Sequence, residues 1–281
     1  SVAIMMSYLG DQTGVYRAMD KLGSATVATI ANEAEVDERY LLEWLSSNAG
    51  RGYVTYDEDS GEFSLSPEQA AVFAREEEPT CIQGLIQGVV GQFVKEEVAV
   101  DVFKTGRGRP WGEHHECCFC GTERFFRPAY AGHLLSEWIP ALEGVEAKLK
   151  AGAKVADIGC GLGTSSLLMA EQFPNSTIHA YDFHGPSIEE AKRRGLEKGL
   201  TNVEFFVSDA ASVSREGYDL ACIFDAWHDM GDPVGVARAI KESLADDGTF
   251  MVVEPMALDG LKNNLENNPG AAMFYGFGTL V

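Results

Sequence analysis

Residues 154–166, KVADIGCGLGTSS, constrain the fold more than any other stretch of the chain. Val155, Ala156 and Ile158 form a short apolar run of the kind that becomes a strand buried on both faces of a parallel sheet. Gly159, Gly161 and Gly163 follow, then Thr164, Ser165 and Ser166, then the apolar Leu167, Leu168 and Met169. The order is strand, glycine turn, helix start. Glycine permits the tight bend and lets a ligand approach the main chain. A helix beginning at such a turn offers unpaired N–H groups to whatever binds there. Dinucleotide sites use G-x-G-x-x-G, but here the spacing is G-x-G-x-G with Asp157 two residues ahead. An anion in that place repels a pyrophosphate and suits a ligand carrying an ammonium group. On the glycines alone, an ordinary tight turn between strand and helix is the competing explanation.

Composition narrows the classes. The chain has 281 residues, 45% hydrophobic and 23% charged, as in a soluble globular protein of one large or two ordinary domains. No run approaches the ~18 apolar residues of a membrane span. The first residues lack the basic start and cleavage site of a signal peptide, so a cytoplasmic location and no membrane partner are expected. The net charge of −21 repels phosphate backbones unless basic residues cluster. The nearest cluster, Lys192-Arg193-Arg194, is surrounded by Glu189, Glu190 and Glu197. Of the six cysteines, Cys160 lies in the glycine turn and Cys222 in an apolar strand, while Cys81 is alone. Cys117, Cys118 and Cys120 follow His114-His115, but C-C-x-C lacks the usual spacing of a structural zinc site, and no metal is expected.

Residues 1–80 read as short helices followed by a hairpin. Apolar residues recur at helical spacing over 5–9 and 15–22, Ser24 is placed to cap a helix through Val27, Ile30 and Ala31, and residues 37–47 form a further helix. Residues 53–56 and 62–65 then flank a loop. Helix, helix, hairpin is the order of a winged helix. Between residues 24 and 66 the basic residues are Arg39 and Arg51, against nine acidic ones, so nucleic acid is not an expected partner. A dimerisation module is the better reading, with apolar helix faces buried against a second copy. Residues 81–150 read as a helical linker that supplies pocket side chains: a long apolar helix running into a glycine-rich loop at 106–112, then a helix over 123–149. From 151 to 281 strands alternate with helices. Strands are expected at 154–158, 177–182, 203–207, 218–224 and 249–253, and helices at 164–173, 186–198 and 233–244. That is a doubly wound parallel α/β sheet, which binds ligands at the carboxyl ends of its strands.

Each of those strand ends carries suitable chemistry. Asp182, about twenty residues past the glycine turn, can accept two hydrogen bonds from a ribose diol, and Phe183 can lie against a purine face. Asp209, followed by Ala210, can accept from an adenine amino group. His228 stands past the fourth strand in the run Asp225-Ala226-Trp227-His228-Asp229-Met230, where a neutral imidazole can take a proton from a hydroxyl nucleophile. Glu254 or Asp229 can fix its tautomer.

The pattern D-x-G-x-G-x-G, with Asp182 and Asp209 at the next two strand ends, resembles class I S-adenosylmethionine-dependent methyltransferases. The segments WHDMGDP and DDGTFMVVEP are similar to the H-D-W region of small-molecule O-methyltransferases, which carry a winged-helix-like dimerisation domain ahead of the catalytic one. Together with ERFFRPAYAGHLLSEWIPAL, the chain looks most like a bacterial branch of these enzymes. The resemblance implies a Rossmann-like domain and S-adenosylmethionine as cofactor, S-adenosylhomocysteine being its product. It also implies a homodimer and a methyl acceptor that is a small molecule bearing a hydroxyl. Asp157, Gly159, Cys160, Gly161, Gly163, Thr164, Asp182, Phe183, Asp209, Ala210 and Asp225 would border the cofactor. His228 would be the general base with Glu254 and Asp229 beside it, and Phe126, Tyr130, His133 and Trp227 would wall the acceptor pocket. Two departures stand out: Met230 replaces the tryptophan of H-D-W, and Asp225 sits where plant enzymes are bulky. The antiparallel strand pair that ends the class I sheet is not legible after Glu254. The alternative class is a non-catalytic, cofactor-sensing winged-helix transcriptional regulator, against which the acidity of the winged helix weighs.

Overall fold

The computed structural model describes residues 2–280. It divides into two compact units, residues 1–97 with 114–128, and residues 98–113 with 129–281. The 81–150 segment is therefore shared between the two.

The first unit opens with α1 (Val2–Gln12), α2 (Val15–Leu22), α3 (Val27–Ala34) and α4 (Glu38–Ala49), followed by the hairpin β1 (Thr55–Asp57) and β2 (Glu62–Ser64). Asp37 caps α4 through the N–H of Tyr40. At α3 the cap is Thr26, not Ser24: its hydroxyl accepts from the N–H of Thr29, whereas Ser24 donates to Glu62 of β2. Tyr16, Met19, Ile30, Leu45 and Phe63 are buried between these elements. Helix α5 (Pro67–Phe73) begins with a reciprocal Ser66–Gln69 capping box.

The long apolar helix expected from residue 81 is two helices, α6 (Gln83–Val94) and α7 (Glu96–Thr105), broken at Lys95. Helix α8 (Glu116–Ala129) packs on α6 at backbone distance. A Cβ at Gly121 would lie 2.7 Å from the Gly84 carbonyl oxygen and 2.8 Å from the Gly88 Cα. Beside this contact, Arg124 donates to both Asp11 oxygens at 2.8 and 2.9 Å, to Glu76 at 2.6 Å and to Gln87 at 2.6 Å. These bonds tie α1, α6, α8 and the segment after α5 together. Breaking such a half-buried pair leaves a charge without its partner, and this costs more than the pair contributes.

The second unit holds a nine-residue π-helix (Tyr130–Trp138), beginning two residues after Pro128, where one continuous α-helix is expected from the sequence. After α9 (Val145–Ala151) come β3 (Lys154–Ile158), α10 (Thr164–Gln172), β4 (Thr177–Asp182), α11 (Gly185–Glu197), β5 (Val203–Val207), β6 (Tyr218–Phe224), α12 (Pro233–Ser243) and β7 (Leu244–Val253). Helices α13 (Leu261–Asn267) and α14 (Ala271–Leu280) follow. The sheet has the order β5-β4-β3-β6-β7 and every pairing is parallel. Among the described residues no antiparallel strand joins it. Val155, Ile178, Leu220 and Cys222 face one buried layer with Met169, Phe173, Leu134 and Leu149, while Ala156, Ile158, Ala221 and Ile223 face another with Val236 and Ile240. Burial on both faces explains the unbroken apolar runs in these strands. The chain runs outward from β3 to β5 on one side and from β6 to β7 on the other, so the order reverses between β3 and β6, where such sheets open a ligand crevice.

Because backbone cannot yield as a flexible side chain does, Gly121→Ala is expected to destabilise the first unit by about 2 kcal/mol. Thermal melting followed by circular dichroism measures this, and Gly132→Ala, whose Cβ would meet nothing within 4 Å, serves as the control.

Candidate active site

The crevice begins at the glycine turn. Gly159, Gly161 and Gly163 have φ of 76°, 52° and 82°, and the N–H groups of Gly159 and Cys160 both donate to the Tyr181 carbonyl, at 2.8 and 3.0 Å. A Cβ at Gly159 would lie 2.9 Å from that of Ala226, and one at Gly163 would lie 2.9 Å from Ala191 and Phe205. Those two positions are glycine because neighbours are close. Gly161 has nothing within 4 Å of where its side chain would be, and a ligand can approach the backbone there. Cys160 is buried, which pushes its thiol well above the usual value.

Two carboxylates hold this turn. Asp157 is fully buried, and its Oδ2 accepts from Ser165 and Ser166 of α10 at 2.6 and 2.5 Å. Its Oδ1 is buried with no hydrogen-bond partner. Burial pushes the carboxyl up to about 6 against the pull of the two serines. Asp182 accepts from the N–H of Gly161 through Oδ2 at 2.9 Å and from the N–H of His184 through Oδ1 at 2.8 Å. Burial raises its pKa too, the two N–H donors opposing. Phe183 beside it is 56% exposed, free to lie against a flat ligand. Asp209 accepts from the N–H of Ala211 at 2.8 Å and so caps the short turn Ala210–Ser212.

Across the crevice, His228 occupies a 3-10 turn, Trp227–Asp229. Its Nδ1 makes a short hydrogen bond with Glu254 Oε2, and its Nε2 lies 3.4 Å from Asp229 Oδ1. The other Glu254 oxygen accepts the N–H groups of Trp227 and Ala226 at 2.8 and 3.2 Å. One carboxylate therefore shapes the turn and orients the ring. The Glu254 hydrogen bond drives the imidazole up to about 9, partial burial opposing and the charges of Asp229, Glu254 and Asp225 adding. Burial works to raise Glu254, but the bonds from His228 and Trp227 hold it below the usual carboxylate value. Asp225 has a left-handed backbone, φ 49°, unusual without glycine. Burial carries its carboxyl up to about 7 despite the attraction of His228, and burial likewise raises Asp229. A carboxylate oxygen of Asp225, a ring nitrogen of His228 and a carboxylate oxygen of Glu254 lie within 4.8 Å of one another.

An aromatic group adjoins the end of β6. Tyr130 and Trp138 of the π-helix pack on Phe224 with centroids 5.5 and 6.3 Å away, and His133 stacks on Trp138 at 6.1 Å. Trp227 is on the opposite face of the sheet, against Phe250, with its indole N–H donating to the Pro233 carbonyl. Phe126 belongs to the first unit, where it packs edge-on against Phe125.

Residues 149–276 match the family described as Methyltransferase domain, and residues 1–75 match the Rv2258c-like winged HTH domain. The chain joins a winged HTH domain to a methyltransferase domain. Among curated relatives, (S)-coclaurine N-methyltransferase of Thalictrum flavum is 29% identical over 38% of this chain and 30% of its own length. A ubiquinone biosynthesis O-methyltransferase of Actinobacillus pleuropneumoniae is 29% identical over 35% and 44%. The chain thus spans less than half the length of these relatives. Among solved structures, the mitomycin 7-O-methyltransferase MmcR has a TM-score of 0.68 at 17% identity, covering 99% of this chain and 81% of that one. Human N-acetylserotonin methyltransferase, solved with S-adenosylmethionine, has 0.69 at 14%, covering 100% and 82%. At these identities the likeness is one of fold.

Within the methyltransferase domain, the glycine turn, Asp157 and Asp182 come together at the ends of β3 and β4, and Asp225, His228, Asp229 and Glu254 come together at the ends of β6 and β7. Sequence reading missed Ser165 and Ser166 as partners of Asp157, although two hydroxyls directly after the glycines were the available signal. It also missed Phe224 and Trp138 as the centre of the aromatic group, which no short-range pattern announces. The cradle suits a ligand with a cationic tail and a diol: Gly161 leaves space, and Asp157 Oδ1 is a buried acceptor without a donor. Since Asp182 holds the glycine turn through the N–H of Gly161, Asp182→Asn is expected to weaken S-adenosylhomocysteine binding at least about tenfold, as loss of a charged hydrogen bond does. Isothermal titration calorimetry on the two proteins is the measurement.

Proposed function

We propose that this chain transfers the methyl group of S-adenosylmethionine to a hydroxyl of a small aromatic or polyketide-like molecule, with His228 as general base. The observation that carries this reading is the placement of His228 between Glu254 and Asp229 on the strand end next to the glycine turn. Gly159, Cys160, Gly161, Gly163 and Thr164 would border the amino-acid tail of the donor, with Asp157 as its counter-charge. Asp182 would take the ribose diol, Phe183 the adenine face, and Asp209 with Ala210 the adenine edge. When bound, the donor supplies a methyl group activated on a positively charged sulfur. The acceptor oxygen then forms its bond to carbon as the carbon–sulfur bond breaks, and its proton passes to Nε2 of His228, because Glu254 holds Nδ1. Glu254 stabilises the imidazolium so formed. Tyr130, His133 and Trp138 offer flat apolar faces to an aromatic acceptor. The ubiquinone biosynthesis and mitomycin 7-O-methyltransferases, to which the chain is similar, act on oxygen and favour oxygen as the target here.

His228→Ala is expected to keep donor affinity and to lose about 10²–10⁴-fold in turnover, measured by calorimetry and a methyl-transfer assay; unchanged turnover would remove the general-base role alone.

The pH dependence has a definite sign. A base must be deprotonated to act, so with the free ring titrating near 9, kcat/KM should climb with pH up to that value. Glu254→Gln withdraws the carboxylate that raises it, and the rising limb should move to lower pH.

The exposed apolar side chains of the first unit, Val2, Met5 and Leu9 on α1 and Phe93 and Val94 on α6, support its pairing with a second copy. Met5→Glu with Leu9→Glu should then shift the mass measured by light scattering from dimer to monomer. No helix among the described residues is long and apolar enough to cross a membrane.

A further inference from the structure

Three carboxylates face one imidazole at the ends of β6 and β7. Glu254 is committed to His228 Nδ1 and two backbone N–H groups, and Asp229 lies against His228 Nε2. Among the described residues no hydrogen bond reaches the Asp225 carboxylate; its N–H is held by the Val253 carbonyl, and its backbone adopts the left-handed conformation at φ 49°. The cluster therefore carries one carboxylate more than the imidazole and the N–H donors satisfy. Its place relative to the glycine turn is fixed by parallel pairing of Ile158 with Ile223, which leaves Gly159 in contact distance of Ala226, the neighbour of Asp225. A half-buried carboxyl with no hydrogen-bond donor, next to a cradle for a sulfonium nucleoside, is a group that an arriving cation would ionise.

We propose that Asp225 is a specificity-determining residue that pairs with the positive charge of the donor's sulfonium and so distinguishes S-adenosylmethionine from its neutral product. This rests on the domain binding that donor. The two ligands share the adenosine and the amino-acid tail and differ in one methyl group and one charge, so a carboxylate near the sulfur is the direct way to prefer one. Methyl transfer removes the charge that Asp225 holds and creates one on His228, and the thioether is left without its counter-ion. The charged and titratable groups facing Asp225 are His228 and Asp229 on the 3-10 turn and Glu254 at the end of β7. A nearby cation favours the ionised carboxyl. Donor binding should therefore release a proton near neutral pH, and donor affinity relative to product should rise with pH between about 6 and 8.

The test is calorimetry of both ligands on the wild-type chain and on Asp225→Asn, a near-isosteric change that tolerates the left-handed backbone. The expected result is a loss of about tenfold or more in S-adenosylmethionine affinity with S-adenosylhomocysteine affinity held within about twofold, and disappearance of the proton release read from buffers of different ionisation enthalpy. Equal losses for the two ligands, or an unchanged ratio, would overturn the proposal while leaving the donor site standing. If the variant fails to fold, the wild-type chain decides: a donor-to-product affinity ratio rising with pH supports the pairing and a flat ratio overturns it. Binding of neither ligand by the wild-type chain would take down the donor site and this proposal together.

Discussion

Parallel pairing of β3 with β6, in the register that sets Ile158 beside Ile223, is the constraint from which the site follows. These strands are neighbours in space but sixty residues apart in sequence, and the chain reverses direction across the sheet between them. The turn after one strand holds backbone N–H groups and open space; the turn after the other holds a histidine and its carboxylates. A slip in register would separate the two, because β4 holds the first turn through Tyr181 and Asp182 while β7 holds the second through Val253 and Glu254.

Charge is the second common thread. Asp157, Asp182, Asp225 and Asp229 are all buried enough for their carboxyls to rise above the ordinary value. Folding gains nothing from crowding them, since each would ionise more readily in water. Such an edge makes physical sense where a cation arrives to complete it, and the donor carries both an ammonium group and a sulfonium. The same reasoning disfavours an acceptor that is anionic near His228.

Much of the methyltransferase domain was legible because its strands are short apolar runs buried on both faces, which local pattern reports well, and because glycine spacing and strand-end residues mark the crevice. Asp182, His228 and Glu254 were readable as polar residues closing apolar strands. What escaped was set by partners far along the chain. Thr26 caps α3 because the helix starts at Val27, while Ser24, two residues earlier, bonds Glu62 of the hairpin. The break at Lys95 and the π-helix after Pro128 leave the apolar spacing almost intact, so helical periodicity could not show them. Trp227 and Tyr130 both read as pocket aromatics, yet the turn after β6 sends Trp227 to the opposite face of the sheet from Phe224.

The cysteine inside the glycine turn has a consequence for redox chemistry. Oxidants and alkylating reagents attack the thiolate, and Cys160 is both shielded from solvent and held strongly in the thiol form. Cys120 on α8 is instead exposed. A sulfhydryl probe would tag α8 first and leave the donor cradle chemically untouched, so the domain that handles a reactive sulfonium keeps its own sulfur out of reach.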